Sequence, residues 1–221
     1  MLARFIFSAI VLYSLLPGPT MCHGQSDATY FPLKAGMTWE YSSTSDKRET
    51  RKIVITNLAP RKVNDTTVTP RKWELGGASK YDLVAKDDNG VYLFGEQASE
   101  NAEPTILRAR AYYLPQAITE GTSWDITTKL GDDEVKLTLT IEGINDVVTV
   151  PAGTFKNCVK IKHVGSNVPG EKKEAEFSVL AYEWYAPNVG WVKSLVTINK
   201  KSKDGTLVSE HENYQLQTFK P

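Results

Sequence analysis

The stretch from Glu134 to Glu142 limits the fold more than any other part of the chain. Val135, Leu137, Leu139 and Ile141 alternate without a break with Lys136, Thr138, Thr140 and Glu142. Side chains of an extended strand point to opposite faces in turn, so a period of two describes a strand with one buried and one wetted face. Such a face needs a partner sheet or a curved sheet to cover it, which commits the surroundings to antiparallel β-structure.

The rest of the chain carries the same signature. Met37–Ser42, Thr50–Leu58, Thr66–Leu75, Lys80–Lys86, Val91–Phe94, Thr105–Leu114 and Ser123–Thr127 read as strands. So do Val147–Val150, Phe155–His163, Phe177–Ala186, Trp191–Asn199 and Val208–Phe219. Arg61-Lys62 with Asn64-Asp65, Asn145-Asp146 and Asp204-Gly205 mark turns, and Asp87-Asp88-Asn89-Gly90 predicts a type I′ hairpin. Pro70 inside Thr66–Leu75 predicts an edge or bulged strand, and Leu107–Ala111 could also form a short helix. Ile53, Ile55, Trp73, Leu75, Leu83 and Ala85 are the inward candidates in the first half. The expected fold is an all-β antiparallel meander of about a dozen strands, curled into an open barrel or folded as a sandwich. It occupies one domain over residues 25–221, with a split near Gly121 as the alternative.

Two Pro-containing corners punctuate the second half. In Thr149-Val150-Pro151-Ala152-Gly153-Thr154-Phe155, proline presets φ and keeps Val150 extended before Phe155 starts a new run. In Glu183-Trp184-Tyr185-Ala186-Pro187-Asn188-Val189-Gly190-Trp191-Val192-Lys193 the same device recurs, with Gly190 placed where a positive φ is needed. Both predict hairpin links. Together with Phe31-Pro32-Leu33-x-x-Gly36-x-x-Trp39-x-Tyr41, these two stretches resemble a group of small exported bacterial β-proteins known as domains of unknown function. The resemblance implies compartment and fold, and it carries no catalytic residue.

The N-terminus reads as a signal peptide over residues 1–24. A short basic start at Arg4 precedes an apolar run from Phe5 to Leu16, and Pro17-Gly18-Pro19 ends it. Cys22 and Gly24 suit cleavage before Gln25, and lipid attachment at Cys22 is the rival. The expected location is periplasmic or secreted, with no membrane span, because the apolar run is shorter than the ~20 residues a helix needs to cross. Removing the leader leaves Cys158 alone, so no intramolecular disulfide can form.

The chemistry-bearing residues do not group in sequence. Lys and Arg number 26 and Asp and Glu 26, which removes the electrostatic reason to expect nucleic acid as a partner. His163 lies on an apolar strand face and His211 between two glutamates, so neither metal nor cofactor is expected. Cys158 alternates onto the lysine-bearing face beside Lys160, and the acids of Asp132-Asp133-Glu134 and Glu174/Glu176 read as solvated loops. Arg71-Lys72, Lys172-Lys173 and Lys200-Lys201-Lys203 read as charges that solvate hairpin tips and protect edge strands. With no nucleophile motif, the expectation is a non-enzymatic protein that binds an apolar or amphipathic ligand or a protein partner. The expected ligand residues are Trp39, Tyr41, Trp184, Tyr185 and Trp191, since 10 Tyr and 5 Trp suit either a β-core or a ligand-lined groove. The alternative is an envelope-assembly component acting through a sheet edge or a surface patch.

Overall fold

A computed structural model describes residues 29–130, 133–168 and 175–221. The signal-peptide reading, the choice at Cys22, Asp132 and the Gly170–Glu174 loop lie outside the described residues.

Among the described residues there is no helix. The strands are β1 (Thr38–Ser45), β2 (Arg51–Asn57), β3 (Arg61–Val63), β4 (Thr66–Leu75), β5 (Ala78–Asp87), β6 (Gly90–Gln97) and β7 (Thr105–Pro115). They continue with β8 (Ser123–Leu130), β9 (Asp133–Val150), β10 (Gly153–Asn167), β11 (Ala175–Ala186), β12 (Gly190–Ser202) and β13 (Leu207–Lys220). All pair antiparallel, in the order β7-β6-β5-β4-β2-β1-β13-β12-β11-β10-β9-β8, with β3 added to β4. The first and last strands are neighbours, so the meander runs outward from the β1–β13 pair in both directions.

The two outer strands, β7 and β8, meet again because the sheet curls. Val84, Val91 and Leu114 from β5 to β7 pack in one cluster with Val135 to Ile141 of β9 and with Val159 and Ile161 of β10. The result is a barrel-like sheet with one unsealed seam. Across that seam the Trp124 indole N–H donates to the Tyr112 carbonyl at 2.8 Å.

Most sequence expectations hold at the level of elements, and the departures have local causes. Thr105–Pro115 is a strand along its whole length, so the helical option at Leu107–Ala111 does not occur. No turn forms at Asn145-Asp146; β9 runs through it, and β10 absorbs the irregularity as bulges around Asn157, whose φ is 55°. That bulge turns Cys158 away from the lysines and into the core, where it is fully buried. Asp133 is likewise buried, accepting the Ala175 amide, and is no solvated loop residue.

Pro70 lies in an interior strand, not at an edge. Its neighbour on one side changes there: β2 pairs with Arg71–Leu75, β3 with Thr66–Val68, and Leu58 N–H bonds the Pro70 carbonyl between them. A missing donor costs nothing at such a junction. The hairpin at Asp87–Gly90 is real, but Asp88 and Asn89 keep negative φ. It is held instead by the Asp87 carboxylate, which accepts the amides of Asn89 and Gly90.

Leu83 and Ala85 face outward under the β3–β4 hairpin, in a separate cluster with Val63, Val68 and Tyr92. This second covering is why β5 is buried on both faces from Tyr81 to Ala85. Leu75, expected inside, is exposed at the far end of β4.

Candidate functional site

The three motifs quoted above meet at one end of the barrel. The segment from Thr29 to Gly36 crosses that end before entering β1. Thr29 exchanges hydrogen bonds with Asn188, its N–H reaching Oδ1 and its carbonyl accepting the Asn188 amide. The Tyr30 hydroxyl donates to the Asn157 carbonyl, and the Asn57 side-chain amide donates to the Pro32 carbonyl at 3.0 Å. Asn157 and Asn188 both adopt left-handed backbone conformations, with φ of 55° and 60°. Asparagine tolerates this region better than most residues, and here it turns each hairpin toward the crossing segment. Gly190 has φ of 91°, and a Cβ there would lie 3.2 Å from Pro32 Cδ.

Beneath the crossing segment, rings from distant strands close the barrel floor. Phe31 stacks on Tyr113 at 5.0 Å and on Tyr185 at 6.2 Å. Trp39 donates its indole N–H to the Val189 carbonyl at 2.7 Å, and the Tyr41 hydroxyl donates to the Trp191 carbonyl at 2.7 Å. The Trp191 ring touches Tyr41 at 4.5 Å, Tyr214 at 5.6 Å and Trp73 at 6.4 Å.

Four of the five expected ligand residues, Trp39, Tyr41, Tyr185 and Trp191, therefore come together. Trp39, Tyr41 and Tyr185 are buried, while Trp191 is half-buried. Trp184 does not join them. Its indole donates to Asp146 at 2.8 Å, and its ring lies beside Tyr182 and near the ammonium groups of Lys160 and Lys193. A bulge between Trp184 and Tyr185 separates their environments.

The inner face also carries polar groups that sequence reasoning missed. Arg71 was expected at a hairpin tip; it is only 5% exposed. Its guanidinium lies 4.7 Å from the Phe31 ring centre and 4.9 Å from that of Trp39. Asp82, its register partner on β5, bonds Lys80 at 3.2 Å and accepts a 3.4 Å contact from the Tyr113 hydroxyl. On β10 and β11, His163 Nε2 stands 3.3 Å from Glu183 Oε2, at ion-pair distance but without hydrogen-bond geometry. The Tyr185 hydroxyl donates to the same oxygen at 2.8 Å.

These environments set protonation. Burial pushes the Glu183 carboxyl up, but the charge of His163 and the Tyr185 hydroxyl more than offset it, leaving it below its ordinary value. Burial, and then the adjacent Asp82, hold Tyr113 well above the usual phenol range; burial and Glu183 do the same for Tyr185. Burial also raises Tyr41. The floor is thus lined with neutral hydroxyls.

Several buried polar atoms here have no partner: Ser43 Oγ on β1, Arg71 Nε and Trp73 Nε1 on β4, His163 Nε2 on β10, and Trp191 Nε1 and Ser194 Oγ on β12. The register places Ser43 and Ser194 on one face, with Ser194 opposite both Glu183 and Tyr214, and Tyr214 opposite Ser43, while the Trp191 ring reaches this group through Tyr41 and Tyr214. Native proteins leave few such atoms, because each costs about 1–3 kcal/mol unless something bonds it.

Outside the barrel, among the described residues, no three His, Cys, Asp or Glu side chains gather as a metal site. His211 is exposed, beside Thr197 at 3.1 Å. A depression of about 330 Å³ lies there, between Thr44, Asp46, Leu195, Thr197, His211 and Asn213.

A family model described as DUF3108-like matches residues 120–212, a stretch running from just before β8 into β13. No curated protein matches the chain. Among solved structures, a candidate exported protein with YmcC-like fold from Bacteroides fragilis is similar at 16% identity with a TM-score of 0.46, over 88% of this chain and 100% of that one. A candidate lipoprotein from Parabacteroides distasonis is similar at 16% identity with a TM-score of 0.42, over 87% of this chain and 99% of that one. The family likeness thus covers the half of the sheet built from β8 to β13, where both Pro-containing hairpins lie.

Proposed function

We propose that this is a non-enzymatic periplasmic or secreted protein that binds an apolar or amphipathic ligand on the inner face of its curled sheet. The observation that carries the reading is the set of unpartnered polar atoms facing inward among aromatic rings. Ligand sites combine such apolar linings with a few convergent polar groups. Ser43, Trp73, Trp191 and Ser194 offer hydroxyl and indole donors beside the rings of Tyr41 and Tyr214. Trp39, Tyr41 and Tyr185 form the floor of this site, and Trp191 its accessible wall. The leader-like residues 1–24 support the location.

Native mass spectrometry of the protein purified from its own host tests this. A bound species that organic solvent extracts is the expected result. An empty protein, with the inward polar atoms served by water alone, would count against carriage.

A second reading, a protein partner docked on the outer wall, draws on one patch. Val164 and Leu180 face each other across β10 and β11, exposed at 49% and 41%, and Leu195 on β12 is exposed at 38%. It predicts that host proteins copurify with the wild type and are lost from a Leu180→Lys variant.

A further inference from the structure

The polar groups of the interior are not equally provided for. The acids have partners: Asp82 takes Lys80 and Tyr113, half-buried Glu183 takes His163 and Tyr185, and Asp133 accepts the Ala175 amide. Arg71 is less well provided for. Among the described residues no carboxylate lies within ion-pair distance of it, although Asp82 stands opposite it in the register; its Nε bonds nothing, and the faces of Phe31 and Trp39 lie against its guanidinium.

A ring face attracts a cation, but that attraction alone does not offset the cost of removing the charge from water. Arginine also presents its N–H groups as a planar fork, which suits the paired oxygens of a carboxylate or phosphate. A buried guanidinium lying over two rings, with its Nε unbonded, is half of such a pair.

We propose that Arg71 receives the oxyanion headgroup of an amphipathic ligand whose apolar part lies against the aromatic lining of the barrel. The inference rests on the ligand-binding reading above. Tyr41, Tyr113 and Tyr185 assist it, since their neutral hydroxyls place no negative charge near the headgroup. The acids nearest these rings, Asp82 and Glu183, are held by partners of their own. Arg71 therefore selects for charge, while Trp73, Trp191 and Tyr214 select for an apolar chain.

The test titrates the full exported chain with dodecanoate, dodecyl phosphate and dodecanol, below their aggregation concentrations, following tryptophan fluorescence. The anions should bind roughly tenfold to a hundredfold more tightly than the alcohol, the effect of one charge-assisted pair. Whichever anion binds better identifies carboxylate or phosphate as the headgroup. Arg71→Met should bind all three as weakly as the wild type binds dodecanol, and should melt at or above the wild-type temperature, because it removes an unpaired buried charge.

Equal binding of all three by the wild type overturns the headgroup assignment and leaves carriage standing. Binding of none overturns carriage itself. An Arg71→Met protein that fails to fold, or melts far below wild type, shows that Arg71 already has its partner within the fold, and the inference falls.

Discussion

The Trp39 indole donates to the Val189 carbonyl at 2.7 Å, joining the first strand to the turn before β12, which is distant in sequence. Trp39 is 1% exposed, so water cannot replace the bond. Trp39→Phe keeps much of the ring and removes the donor. It should cost about 1–3 kcal/mol, the penalty of a buried carbonyl left unpaired. Urea unfolding reads this as a lower midpoint at unchanged slope, and an unchanged midpoint would show the bond contributes nothing.

Gly190→Ala meets two obstacles at once. Its φ of 91° strains any side chain, and the new Cβ would press on Pro32 at 3.2 Å. The expected loss is about 1–3 kcal/mol. Adding Pro32→Ala should recover the steric share only, so a double-mutant cycle will be non-additive. Strict additivity would mean that the crossing segment does not rest on Gly190.

The seam opens most easily where one side chain bridges it. Trp124→Phe removes the donor to the Tyr112 carbonyl. Hydrogen exchange at the amides of Ser123–Leu130 should speed up, while exchange in β1 and β13, at the centre of the sheet, stays as it was. Faster exchange everywhere would indicate global destabilisation in place of a local opening.

Acid should weaken the fold through Glu183. Its folded pKa is depressed below the ordinary 4.5, so the unfolded chain binds the proton first as pH falls. The stabilisation is present above about 4.5 and is lost as pH drops through the lower folded value. In Glu183→Gln the stability curve should flatten across that window, which melts recorded from pH 7 to 3 would reveal.

At the alkaline side Cys158 acts in the opposite sense. Burial, and then Asp146, raise its thiol from 9.0 to about 11. Between those values the unfolded chain loses a proton that the folded one keeps, so stability should fall as pH rises from 9 to 11. Reaction of the native protein with a disulfide reagent at pH 8 should be slow and limited by unfolding. Rapid labelling would place the thiol at the surface.

Alternation made the strands legible because it is a property of the local chain. Val135 to Ile141 declare a buried face wherever they sit, and Pro151 and Pro187 fix hairpins by their own ring geometry. Errors arose where a neighbour set the geometry. The β10 bulge at Asn157 moved Cys158 inside, and Pro70 was excused by the handover from β3 to β2. Trp184 and Tyr185 are adjacent in sequence, yet a bulge in their pairing sends them to different surroundings.

By itself, then, the sequence determined an antiparallel all-β sheet and most of its turns, since backbone periodicity and turn stereochemistry act over a few residues; Asn145-Asp146 and Arg61-Lys62, read as turns, are strand. Only the tertiary structure decided that β7 returns to β8, that Phe31 lies over Arg71, and that Glu183 faces His163. Those meetings depend on how far the sheet twists and curls, which is a sum over all its strands and is not encoded in any one of them.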